Sequence, residues 1–120
     1  MSVKITTVAK KLPQYSRTTA EIIPFLDTWL VGQELRFIKK VKKIFEQAAV
    51  DKRYSIMSPE EVFTQTSFEE KNNIYIRESI KLGTDCLQLA LKKANWKPQD
   101  IDYIITVRCT GIIIPSIDAY

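Results

Sequence analysis

The sequence predicts an α/β fold built on a βαβ unit with parallel strands, a long central helix and a helical insertion. Three observations carry this expectation. A β-branched segment, Val3-Lys4-Ile5-Thr6-Thr7-Val8, lies near the amino end, and a second, Tyr103-Ile104-Ile105-Thr106-Val107, lies near the carboxyl end. Between them the longest periodic stretch of the chain opens at Ser67. A strand, helix, strand order of this kind crosses over right-handed in nearly all proteins, which leaves its strands parallel and covered.

Val3 to Ala9 is the first expected strand, closed by Lys10-Lys11-Leu12-Pro13, and Pro13 with Ser16 begins a turn. Thr19 precedes Ala20-Glu21-Ile22-Ile23, and the apolar set Ile22, Ile23, Phe25, Leu26, Trp29 and Leu30 fits a short helix that Pro24 enters in its first turn and Gly32 ends. From Glu34 to about Ala49 the pattern is helical, with Ile38, Val41, Phe45 and Ala48 on one face and Arg36, Lys39, Lys40 and Lys43 along another. Asp51-Lys52-Arg53-Tyr54 is polar and short. Ser58-Pro59-Glu60-Glu61 then starts a brief helix with a capping serine, a proline at the first position and acids that complement the dipole.

Ser67-Phe68-Glu69-Glu70 is a capping box. The helix it opens carries Tyr75, Ser79, Leu82, Gly83, Cys86, Leu87, Ala90, Leu91 and Ala94 on one face, rich in small residues, as in a helix lying close against a sheet or its own copy. Asn95 takes the left-handed stop and Trp96-Lys97-Pro98 prevents continuation. On this plan the residues from Pro13 to Thr66 are an insertion within the βαβ unit. The second strand ends in Arg108-Cys109-Thr110-Gly111, delivering a thiol and a hydroxyl to its carboxyl end, where ligand sites of open α/β sheets are found. Ile112-Ile113-Ile114-Pro115 follows, too apolar for a solvated loop, and Ser116 caps a helix start.

At 120 residues, 45% hydrophobic and 27% charged, the chain has the composition of one globular domain. Its first residues, MSVKITTVAKK, show no h-region before a small-residue cleavage site, and no apolar run nears the roughly 18 residues of a membrane span, so a cytoplasmic location without membrane partners is expected. Two cysteines, Cys86 and Cys109, with no CxxC spacing and no histidine, argue against a metal site and a disulfide framework. The lack of histidine also removes the commonest general base near neutral pH and every Cys-His pairing. A net charge of +4 is too small to decide on an anionic partner by itself.

Three anchors together resemble the type III polyketide synthases, the chalcone and stilbene synthase family, along essentially the whole chain. They are Lys39-Lys40-Val41-Lys42-Lys43-Ile44-Phe45 followed by Asp51-Lys52-Arg53-Tyr54, Pro98-Gln99-Asp100-Ile101-Asp102-Tyr103-Ile104-Ile105, and Cys109-Thr110-Gly111-Ile112-Ile113-Ile114-Pro115-Ser116-Ile117-Asp118, which is similar to the bacterial form of the family's substrate-cavity loop. The resemblance implies that residues 1–120 are the N-terminal part of a thiolase-like fold that continues past Tyr120 and works as a homodimer. It implies an acyltransferase that joins an acyl-CoA starter to malonyl-CoA units by decarboxylative Claisen condensation, with these as substrates and no separate cofactor. The family's catalytic Cys, His and Asn are assigned to no residue here, so the 120-residue chain alone is expected to be inactive.

By the same resemblance Lys40 and Lys43 hold coenzyme A phosphates at the mouth of a pantetheine tunnel, while the third family position falls on Gln47 instead of a cation. Cys109 and Thr110 line the substrate cavity, and Gly111, Ile114 and Pro115 belong to a loop that reaches across the dimer axis, with Ile114 where a methionine is often found. The resemblance also predicts a cis peptide bond before Pro115. From charge pattern alone, Lys40 and Lys43 read as a solvated helix face, and Cys86 reads as a small core residue. Two other functions stay open at this point. One is a ketoacyl synthase III-like condensing enzyme that takes an acyl carrier protein. The other is a non-catalytic module gripping nucleic acid through Arg36 to Arg53, disfavoured because that segment lacks interleaved exposed aromatics and a nucleic-acid motif.

Overall fold

The computed structural model, which describes residues 2–62, 64, 67–108 and 111–119, divides into two units, one of residues 13–64 and one of residues 1–12 with 65–120. The division falls close to where the sequence places the insertion. Residues 13–64 begin with strand β1 (Tyr15–Thr18), which pairs antiparallel with β2 (Lys52–Ser55), Tyr15 opposite Ser55 and Thr18 opposite Lys52. Neither strand was expected from the sequence. Each is four residues long and mostly polar, too short for an alternating pattern to show.

Helix α1 (Thr19–Ile22) starts with Thr18 as its cap: the Thr18 hydroxyl accepts from the Glu21 amide while the Glu21 carboxylate accepts from the Thr18 amide. Pro24 lacks the N–H that an α-helical turn would use, and Ile23–Phe25 accordingly form a 3₁₀ turn before α2 (Leu26–Trp29). Gly32 closes the segment at φ 88°, a left-handed conformation that glycine adopts without Cβ strain. Helix α3 (Leu35–Gln47) and the brief α4 (Pro59–Val62) complete the unit. Ser58 caps α4 as expected, accepting from the Glu61 amide at 3.2 Å. The core of this unit is Ile22, Leu26 and Ile38, with Leu26 only 1% exposed.

Arg53 ties the two ends of the excursion together. It lies over the Phe45 ring at 4.5 Å and donates to the Thr19 hydroxyl and to the Val50 carbonyl, while the Thr19 amide donates to the Asp51 carbonyl at 2.8 Å. This guanidinium therefore satisfies the Val50 carbonyl, a backbone group that an irregular turn would leave to water. It explains why Asp51-Lys52-Arg53-Tyr54 is a strand-bearing anchor and not a loop.

The other unit is dominated by α5 (Phe68–Ala94), 27 residues with the predicted Ser67–Glu70 capping box at one end and Asn95 at φ 57° at the other. Lys92 and Lys93 lie in its last turn, where cations complement the dipole. Gly83, within the small-residue face, lets the Ile117 side chain come to 3.4 Å of where a Cβ would be. Residues 2–12 are attached to α5 by a Lys11–Asp85 ion pair of 3.3 Å and by Lys93 donating to the Val8 carbonyl.

The strands expected at Val3 to Ala9 and Tyr103 to Val107 are not formed, and the antiparallel β1–β2 pair is the sheet found among the described residues. Val3 and Val107 are 97% and 93% exposed, and no described residue of α5 is fully buried. The physical reason is that β propensity measures fit to a pleated, half-buried surface. A parallel pair needs cover on both faces, which one helix does not supply.

Candidate functional site

Helix α3 sorts its lysines by the residues that face them. Ile38 is buried and Val41 and Phe45 half-buried, so their face is the inner one, and Lys42 on its edge reaches Asp27 of α2 at 2.6 Å. Lys40 and Lys43 lie on the outer side, exposed, one turn apart, and form no ion pair among the described residues. Gln47 follows Lys43 one turn later on the same stripe. The structure thus keeps two expected anion-binding side chains adjacent and unpaired, while a third lysine of the same helix is engaged in holding α2.

A cavity of about 260 Å³ lies on the inner side of the same unit, lined by Tyr15, Trp29, Phe45, Tyr54 and Val62 among others, with Arg17 and Arg53 at its wall. Arg17 is engaged with Glu60 at 2.8 Å and Arg53 with Thr19 and Val50, so both guanidinium groups act as structural clamps. Neither Lys40 nor Lys43 lines this cavity.

Of the expected cavity-wall residues, Cys109 and Thr110 lie outside the described residues. Gly111, Ile114 and Pro115 are placed, and the Ile114-Pro115 bond is cis as the resemblance predicts. The loop they form is held by side chains. Asn72, in the second turn of α5, donates from Nδ2 to the Ile112 carbonyl at 2.9 Å and accepts the Ile112 amide on Oδ1 at 2.8 Å. Arg108 Nη2 donates to the Ile113 carbonyl at 2.9 Å. Downstream, the Thr106 hydroxyl reaches Ser116 at 3.3 Å and Asp118 at 3.2 Å. Hydrogen bonds from the Ser116 hydroxyl, from the backbone and from Thr106, with the Arg108 charge adding to them, hold the Asp118 carboxyl below its usual range.

Sequence reasoning missed Asn72 and the role of Arg108. Asn72 sits three residues before Tyr75, on the face that the periodicity marks from Tyr75 onward, and that spacing was the available signal. Cys86 is half-buried on α5 with a free thiol. No group of three His, Cys, Asp or Glu side chains converges as a metal site among the described residues, and none of their helices is long and apolar enough to cross a membrane. What this geometry can do is bind an anion through Lys40 and Lys43 and present a fixed apolar loop.

No family model matches the chain. It is 33% identical over 78 residues, 65% of its length, to a 1,3,6,8-tetrahydroxynaphthalene synthase of Streptomyces coelicolor, and 29% identical over 80 residues to the enzyme of the same name from Streptomyces griseus. Over 108 residues, 90% of its length, it is 22% identical to a phloroglucinol synthase of Pseudomonas fluorescens. The chain spans between 21% and 30% of the length of these curated relatives.

Proposed function

From the premise that this chain is a homologue of the type III polyketide synthases, we propose that the protein is an acyltransferase joining an acyl-CoA starter to malonyl-CoA units. In each extension the malonyl thioester loses CO₂, the resulting enolate carbon attacks the thioester carbonyl of the starter or of the growing chain, and the sulfur of that thioester leaves as a thiol. The three relatives carry two names, each that of a polyhydroxylated aromatic product, and that is the product class to look for first.

The observation that carries the reading is the coincidence of those matches with the pair Lys40 and Lys43, exposed, adjacent and without an acidic partner among the described residues. A pyrophosphate spans two cations one helical turn apart, and each ammonium acts on it as a point charge. In this reading Lys40 and Lys43 hold the coenzyme A phosphates, Cys109 and Thr110 line the cavity, and Gly111, Ile114 and Pro115 shape a wall shared across a homodimer of thiolase-like fold. Reactive thiolate, base and oxyanion donors are supplied by residues other than these, since the chain has no histidine. In this reading residues 1–120 by themselves carry out no condensation.

The test is to incubate the full-length protein with malonyl-CoA and a panel of acyl-CoA starters, following free thiol, CO₂ and product mass. Release of CoA and CO₂ with masses that increase by whole extension units supports the reading. Steep salt-dependent binding to RNA or DNA with no thioester turnover would replace it with the nucleic-acid module.

A further inference from the structure

We propose that Asn72 and Tyr75 of α5 are positioning residues that set which isoleucine the 111–115 loop displays, and thereby the shape of the wall it offers to a growing chain. What the loop does for the product rests on the function proposed above; how the loop is held rests on its hydrogen bonds and on the Tyr75 ring against Gly111.

Among the described residues no strand lies beside the loop, yet both backbone groups of Ile112 are satisfied. The Asn72 amide donates to its carbonyl at 2.9 Å and accepts from its amide at 2.8 Å, the same exchange a paired strand would make. Only a primary amide provides a donor and an acceptor in this arrangement. Aspartate keeps the acceptor and loses the donor, glutamine places the same group one methylene too far, and alanine removes both.

Tyr75, one turn further along α5, fixes the residue before. Gly111 has φ 73°, and a Cβ built on it would overlap the Tyr75 ring, so ring and backbone are in direct apposition. Arg108 then holds the Ile113 carbonyl. With three consecutive residues restrained, the loop has one orientation: Ile113 is 2% exposed, whereas Ile112 and Ile114 are 55% and 86% exposed. Releasing Ile112 from Asn72 lets the loop rotate, and a rotation exchanges the buried isoleucine for a displayed one. Asn72 therefore acts on the wall through the loop and touches no substrate itself.

The experiment compares full-length wild type with Asn72→Ala, Asn72→Asp and Ile114→Ala, reading amide hydrogen exchange at Ile112, KM for acyl-CoA, kcat and the distribution of product lengths. In Asn72→Ala, exchange at Ile112 is expected to speed by about tenfold, the worth of one hydrogen bond. The product distribution is expected to shift in the same direction as in Ile114→Ala, while KM for acyl-CoA stays within about twofold. Asn72→Asp, nearly isosteric, retains the acceptor and is expected to fall between wild type and alanine in both readouts, which keeps the test usable if alanine does not fold. Unchanged exchange at Ile112 overturns the clamp. Faster exchange with an unaltered product distribution overturns its role in the wall. A wild type that condenses nothing refutes the proposed function instead, and the exchange measurement then decides the clamp by itself.

Discussion

Replacing Lys40 and Lys43 by alanine should raise KM for acyl-CoA without changing kcat. Both side chains are exposed on α3, so under the proposed function each contact to a phosphate would be made in high dielectric and be worth about as much as a surface ion pair, on the order of 0.5–1 kcal/mol. That corresponds to roughly a two- to fivefold rise for each single substitution, and about tenfold or somewhat more for the pair. Lys42 supplies an internal control, because its ammonium lies 2.6 Å from Asp27 and points away from the solvated stripe. Lys42→Ala should leave KM within about twofold of wild type while loosening α2 against α3. Salt provides a second control: the Debye length falls from about 10 Å at 0.1 M to about 3 Å at 1 M, so the difference between wild type and the double variant should nearly vanish at high salt. Gln47→Arg, which adds a cation one turn beyond Lys43, should lower KM. Steady-state kinetics at two ionic strengths decides the matter. An unchanged KM for the double variant at low salt, or an equal effect from Lys42→Ala, would rule out a phosphate contact by this pair.

Four further outcomes follow from single observations. Ser67→Ala removes the reciprocal cap of α5 and should cost about 1 kcal/mol in denaturant unfolding. Ala49 follows α3 at φ 50°, where a Cβ is strained, so Ala49→Gly should stabilise the protein by about 0.5–1 kcal/mol. Leu26, 1% exposed at the centre of residues 13–64, should cost about 2–5 kcal/mol when cut to alanine, read as a lower unfolding midpoint. Glu21 and Glu61 are held below the ordinary value of 4.5, first by the backbone amides and then by the hydroxyls of Thr18 and Ser58. A depressed folded-state value means that the unfolded chain binds the proton more readily, so this stability is complete above about pH 4.5 and is lost as pH falls through the lowered values. The Glu21→Gln, Glu61→Gln double variant should show a shallower loss of stability below pH 4.5. An acid unfolding series comparing it with wild type checks this.

The parts of the fold that were legible in the sequence are those decided within a few residues. Ser67 with Glu70, Ser58 with Glu61, and Asn95 each act on neighbours three or four positions away, Gly32 acts through its own backbone conformation, and each stands where the sequence puts it. The same holds for the inner face of α3, where Ile38 is buried and Phe45 half-buried. What was not legible depends on partners far along the chain. β1 and β2 are separated by more than thirty residues and identified by nothing local, because their pairing is secured by Arg53, Thr19 and Val50 and not by an apolar pattern. The segments around Val3 and Tyr103 have the composition of strands, but composition cannot supply the surface on which a strand packs. In the candidate site, Lys40 and Lys43 were marked by sequence and are exposed as expected, whereas Asn72 is an unremarkable polar residue until its amide is seen against Ile112.

This difference separates two kinds of perturbation. A change at Lys40 or Lys43 alters a charge that nothing else in the described structure uses, so its effect should appear in ligand affinity and be screened by salt. A change at Asn72 leaves two backbone groups of Ile112 without their partner, and it should appear in local exchange and product distribution with little response to salt. Combining Lys43→Ala with Asn72→Ala should therefore give additive free-energy effects, since among the described residues the two share no partner. A coupling well above about 0.5 kcal/mol in that double-mutant cycle would mean that the proposed phosphate contacts and the isoleucine loop act as one device, against the independence argued from their lack of a shared partner.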